Sequence, residues 1–160
     1  VKIEFQSRLS ADEVGFADKE GKAAEIYWQT TKPFYVYVKD DALNKVVEVI
    51  IPEYFVTDFC SVPKIPFAYL MFGDIGRRAG LLHDALYSPW IGIQACDLFT
   101  REPFVIERPW ADTVLRNALI ACGVPGWKAA MMYMGVKLFG NQYFHGKPIC
   151  EQGIYYDQSY

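Results

Sequence analysis

The sequence predicts an α+β fold: a small N-terminal antiparallel sheet or meander packed on a C-terminal cluster of about three helices. Three observations carry that expectation. β-branched and aromatic runs crowd the first third of the chain. Apolar residues recur at helical spacing in the second half. The length, 160 residues with 52% apolar side chains, suits one domain with a sizeable core. We expect residues 1–140 to form that domain and residues 141–160 to be an aperiodic C-terminal arm, which needs a surface to lie on.

The strands come first. Ile3 to Phe5 alternates, Ala24 to Gln29 is β-rich, and Phe34-Tyr35-Val36-Tyr37-Val38 is the strongest strand signal. Asp40, Asp41 and Asn44 supply a turn before a further strand, Val46 to Ile51. Pro52 ends that strand because it has no N–H to offer a neighbour. The helices follow. Gly76 to Tyr87 carries apolar residues at Ala79, Leu82, Leu86 and Tyr87, and Ser88-Pro89 stops it. Trp90 to Glu107 is irregular and reads as a long loop with room for one short helix. Pro109 opens the clearest helix, whose apolar face is Val114, Leu115, Ala118, Leu119 and Cys122, with Gly123 as its C-terminal cap. Pro125 to Phe139 is the last helix. Its Met131, Met134, Val136 and Leu138 read as core, the Met residues filling gaps.

Composition narrows the function classes. The net charge of −3 argues against binding to a nucleic-acid backbone, which wants a basic face. The positive charges cluster only at Arg77-Arg78. That pair reads as a solvated face, with a local anion site as the other reading. The aromatic share, 16%, is high: these rings pack strands on helices, or some of them line an interface. Four cysteines show no zinc or redox spacing, so we expect reduced thiols and synthesis in a cytoplasm; a Cys96–Cys150 bridge stays open. No stretch approaches a membrane span, and Val1 to Phe5 lacks the apolar run of a signal peptide.

The residues able to do chemistry gather between Thr57 and Tyr87. His83 and Asp84 interrupt an otherwise apolar helix. Neighbouring helical residues point about 100° apart, so the two cannot face the core together. Burying either needs partners, and Asp58, Ser61, Tyr87 and Asp112 are available. Three roles stay open. His83 and Asp84 can ligate a divalent metal. Asp58, His83, Asp84 and Asp112 can form a catalytic acid–base cluster. The same groups can instead form a buried network tethering the segment from Thr57 to Pro66 to two helices. His-Asp phosphohydrolase chemistry is excluded, because it needs a further histidine upstream and His83 is the first. A phosphate-binding loop, a dinucleotide glycine pattern and a nucleophile elbow are also absent. Thr57-Asp58 also has a plain reading as a turn-forming pair, and Cys60 as an inward-packing residue.

Thr57-Asp58-Phe59-Cys60-Ser61-Val62-Pro63-Lys64 resembles a Thr-Asp-Phe-Ala-Ser-(Val or Ile)-Pro-Arg signature, and Leu82-His83-Asp84-Ala85-Leu86-Tyr87 resembles a His-Asp-x-Leu-Tyr signature. Ala111-Asp112 and the stretch Gly123-Val124-Pro125 to Gly140 complete, in order, a pattern similar to the phage and prophage domain of unknown function number 1353, over roughly Pro52 to Gly140. Cys60 stands where that family usually has Ala, Lys64 where it has Arg, and the stretch from Tyr87 to Ala111 is longer than usual. The resemblance implies a phage or prophage origin and brings no established activity. With the surplus of aromatics and the Tyr-rich segment from Tyr143 to Tyr160, it leads us to expect a virion component of the tail or baseplate. Such a protein is made in the host cytoplasm, ends in the particle and has other phage structural proteins as partners. The alternative is a hydrolase of cell-wall or phosphodiester bonds, metal-dependent if His83 and Asp84 hold an ion. A host-directed inhibitor made early in infection is a third option.

Overall fold

The computed structural model describes residues 1–16, 25–57, 73–88 and 92–144. Two antiparallel sheets form, with every strand but the last in the first part of the chain. One has the order β1 (Lys2–Phe5), β4 (Phe34–Asp40), β5 (Lys45–Ile51), β7 (Gln94–Asp97). The other has the order β2 (Ala11–Phe16), β3 (Glu25–Thr30), β6 (Val56–Thr57). Three helices follow: α1 (Arg77–Tyr87), entered through a 3₁₀ turn at Gly73–Gly76, α2 (Arg108–Ala121) and α3 (Gly126–Phe139). A second 3₁₀ turn, Gly140–Tyr143, closes the described chain. The expected α+β architecture is therefore present.

Period-2 patterning decides the first sheet. Phe34, Val36 and Val38 on β4 face the helices, and Val47, Val49 and Ile51 on β5 join them in register. Asp40 ends β4 by accepting the backbone N–H groups of Ala42 (3.0 Å) and Leu43 (3.2 Å). Its second oxygen accepts Trp110 Nε1 at 3.0 Å, which ties the hairpin to the first turn of α2. α2 packs on α1, α3 and β1 and holds the centre of the helical layer. Its end is a Schellman cap: Val124 N–H bonds Leu119 O (3.0 Å) and Gly123 N–H bonds Ile120 O (2.9 Å), with Gly123 at φ +93°. Gly123 is thus the cap its position in the sequence predicts.

Two expectations change. The stretch read as a loop from Trp90 to Glu107 contains strand β7, and no helix forms among its described residues. Gln94-Ala95-Cys96-Asp97 has little intrinsic strand character. It becomes a strand by filling the open edge of β5, from Val47 paired with Asp97 to Ile50 paired with Gln94. The core assignment of the last helix also shifts. Val136 is buried as expected, but Met131, Met134 and Leu138 are exposed, and Ala129 and Met132 face inward instead. α3 is apolar nearly all round, so periodicity cannot tell its inner face from its outer one.

Candidate functional site

Thr30 builds the approach to the site. It is fully buried, and its hydroxyl donates to Pro52 O (2.8 Å) and accepts Phe55 N–H (2.9 Å). Its backbone groups bond Tyr54 and Phe55. These bonds fix the turn after β5 and set β6 against β3, with Thr57 opposite Trp28. Thr57 is thereby aimed at α1, where its hydroxyl donates to the Asp84 carboxylate. Asp58 and the rest of the signature segment, with Cys60, Ser61 and Lys64, lie outside the described residues, as does His145.

His83 and Asp84 separate as the 100° rule requires. Asp84 turns toward β6 and is partly exposed. His83 turns inward and is 0% exposed, with no hydrogen-bond partner at Nδ1 or Nε2 among the described residues. Its ring packs on that of Tyr87, one turn on, with centroids 4.1 Å apart and tilted by 37°. Burial pushes the imidazole down to about 3, so it is neutral at neutral pH. A general base working near pH 7 needs a proton affinity well above that.

Tyr87 and Asp112 form the other half of the cluster. The Tyr87 hydroxyl donates to Asp112 Oδ1. The two residues are 4% and 2% exposed. Arg108, one helical turn before Asp112, brings a guanidinium nitrogen to 3.9 Å from Oδ2 and also reaches Lys137 O at 3.3 Å, near the end of α3. Burial holds the Asp112 carboxyl above the usual carboxylate range, while the Tyr87 hydroxyl and the Arg108 charge pull it down. Burial first and Asp112 second raise the Tyr87 hydroxyl, so it stays a donor. The phenol tip sits against Gly140, where an added Cβ would lie 2.8 Å from the hydroxyl oxygen. Phe144 meets the ring edge-on at 5.2 Å.

The four sequence candidates therefore divide. His83 and Asp112 are brought together around Tyr87, Asp84 belongs to a separate contact with Thr57, and Asp58 is undescribed. Among the described residues, no group of three His, Cys, Asp or Glu side chains is placed to hold a metal ion. Arg108 and Gly140 complete the buried cluster without any sequence motif to announce them. Their roles depend on α2 and α3 lying side by side.

Two surface features complete the description. On α3, Trp127, Met131, Met134 and Leu138 are 61%, 55%, 49% and 66% exposed. Their 4-3-4 spacing places them within about 60° of helix surface, opposite Ala129, Met132 and Val136. At the start of α1, Arg77 and Arg78 are half-buried and stacked on aromatic rings, so the solvated-face reading of this pair does not hold.

A family model described as "Protein of unknown function (DUF1353)" matches residues 28–136. No curated protein matches, and no solved structure does.

Proposed function

The chain belongs to the DUF1353 family of proteins of unknown function, and from that premise we propose that it is a phage-encoded, virion-associated protein of the tail or baseplate that works by docking on another structural protein. The exposed apolar seam of α3 carries this reading. Four large apolar side chains in line, at the spacing that helices use to pair, cost solubility in a surface helix and are accounted for by a partner. Lys128 and Lys137 lie on opposite sides of the seam, and α3 has no acidic residue. The partner that fits is a helix with its own apolar seam flanked by Asp or Glu. A second copy of the chain fits poorly, because its α3 has no acidic side chain to face either lysine. Among the described residues no helix is long and apolar enough to cross a membrane, so a bilayer-spanning role does not compete for this face.

The hydrolase reading draws on one observation, the unpartnered His83 ring beside the Tyr87–Asp112 pair. It has less support. His83, Tyr87 and Asp112 are sealed from solvent, and a neutral buried imidazole of such low basicity is a poor proton acceptor. The described cluster fits a packing role, with Asp84 and Asp112 anchoring neighbouring elements to α1.

Mass spectrometry of purified phage particles tests the proposal, comparing the wild type with a Met131→Glu/Met134→Glu variant. The wild-type chain is expected at stoichiometric copy number. The variant is expected to fold, by circular dichroism, yet to be missing from particles. Absence of the wild-type chain at any copy number overturns the virion role. Normal incorporation of the variant overturns α3 as the docking face.

A further inference from the structure

We propose that the solvent face of the first sheet, beside the β4–β5 turn, is a binding site for an uncharged pyranose sugar. A groove of about 510 Å³ opens there, within the size range of sites that enclose small molecules. Period-2 alternation builds its floor. Val36, Val38, Val47 and Val49 are buried under the helices, so Tyr37 and Lys39 of β4 and Val46 of β5 point the other way. Glu4 on β1 stands opposite Tyr37, and Val46 stands opposite Lys39. Leu98 carries the surface on past β7, its N–H bonded to Val46 O at 2.7 Å. Phe99 follows at the rim and is 77% exposed.

Both walls are turns held by a nearly buried aspartate. Asp40 fixes the turn between β4 and β5 through the N–H groups of Ala42 and Leu43. Asp97 does the same after β7, accepting the N–H groups of Phe99 (2.9 Å) and Thr100 (3.0 Å). The groove is therefore shaped before a ligand arrives, and less ordering is left to be done on binding.

The chemistry of the lining selects a polyol. Lys39, Lys45 and the Asn44 amide donate hydrogen bonds, while Glu4, Asp41 and the Asn44 carbonyl accept them. A sugar hydroxyl does both, so one ring can bond to either set. A phosphate or carboxylate only accepts and meets Glu4 and Asp41, whereas an ammonium only donates and meets the lysines. Lys39 and Asp41 pair at 3.4 Å, but both are largely exposed, and such a pair is worth little enough for hydroxyls to replace it. A pyranose also has an apolar C–H face, which suits the Phe99 ring and a floor of Tyr37, Val46 and Leu98.

Titration calorimetry on the full chain tests the proposal. The ligands are neutral hexoses and N-acetylhexosamines, each as monosaccharide and trisaccharide, with inorganic phosphate and triglycine as charged comparators. Saturable one-to-one binding of at least one sugar is expected, and of neither comparator. Tighter binding of the trisaccharide assigns the groove to a polysaccharide chain, and equal binding assigns it to a single sugar unit; either supports the proposal. Phe99→Ser removes an exposed ring and keeps the backbone N–H that bonds Asp97. Asn44→Gly removes the amide and keeps a residue suited to φ 50°. Each variant is expected to fold, by circular dichroism, and to weaken the sugar about 5-fold or more. The proposal is overturned if no sugar binds saturably, if phosphate or triglycine binds as well as any sugar, or if both variants bind like the wild type. A Met131→Glu/Met134→Glu variant should bind the sugar normally, which separates this groove from the docking face of α3.

Discussion

Replacing His83 with leucine tests what the buried imidazole does. In the unfolded chain a histidine titrates near ~6.5, whereas in the folded protein burial lowers His83 to about 3. Between those values the unfolded state binds about one more proton than the native state, so stability rises with pH across that window and is lost as pH falls through it. The slope is about 1.4 kcal/mol per pH unit. Going from about pH 6.5, where the unfolded histidine is half protonated, to about pH 4.5 then removes about 2 kcal/mol, a sizeable part of the ~5–15 kcal/mol that holds a domain together. His83→Leu nearly conserves volume and removes two ring nitrogens that have no partner among the described residues. Its stability at neutral pH is expected within about 1 kcal/mol of the wild type, or above it. Urea denaturation followed by tryptophan fluorescence, repeated from about pH 7 to about pH 4.5, gives both curves. Other groups contribute to the acid limb in both proteins, so the difference between the curves isolates His83. Two parallel curves would refute the reasoning. So would a loss above about 3 kcal/mol at neutral pH, which would mean that the nitrogens are bonded.

The cluster around Tyr87 yields further expectations. Tyr87→Phe removes the hydroxyl that Asp112 accepts from, leaving a carboxyl that is 2% exposed with Arg108 at 3.9 Å. The cost at neutral pH is about 1.5–3 kcal/mol in chemical denaturation. Burial already raises the Asp112 carboxyl, so the native state keeps that proton to higher pH than the unfolded chain, and stability falls as pH rises from the usual carboxylate value through the raised one. Losing the hydroxyl widens that window, so the variant's deficit should shrink near about pH 4; an equal deficit at both pH values contradicts this. Gly140→Ala drives a methyl into the same hydroxyl, at 2.8 Å before any movement, and should cost about 1–3 kcal/mol. Combined with Tyr87→Phe it should cost less than the sum of the two, since the oxygen it strikes is gone; additivity measured by a double-mutant cycle contradicts the contact.

How much of this the sequence discloses depends on whether a feature is local. β4 is readable because Phe34 to Val38 alternates inside and out, and the end of α2 because Gly123 must adopt positive φ. Nothing local marks Gln94 to Asp97 as a strand, since its conformation comes from the edge of β5, more than forty positions earlier in the chain for every pair. The polar cluster was half readable. Asp112 and Tyr87 could be named as partners for the His-Asp pair. That Asp112 pairs with Tyr87, while His83 keeps no bond among the described residues, follows from how α1 and α2 pack.

The last helix shows the same limit from the other side, and there it bears on function. A helix with one polar face tells a reader which side meets solvent. α3 has two apolar faces and flanking lysines, so the sequence fits either face to the core. Packing chooses Ala129, Met132 and Val136, and the bulkier set Trp127, Met131, Met134 and Leu138 is left outside. Choosing the other face would expose Ala129 and Met132 and require burying Trp127, Met131, Met134 and Leu138 in their place. The large side chains are therefore outside because the inner face is shaped to fit its neighbour. Among the described residues their excess apolar surface has nothing packed over it, which is the observation that a docking partner would account for.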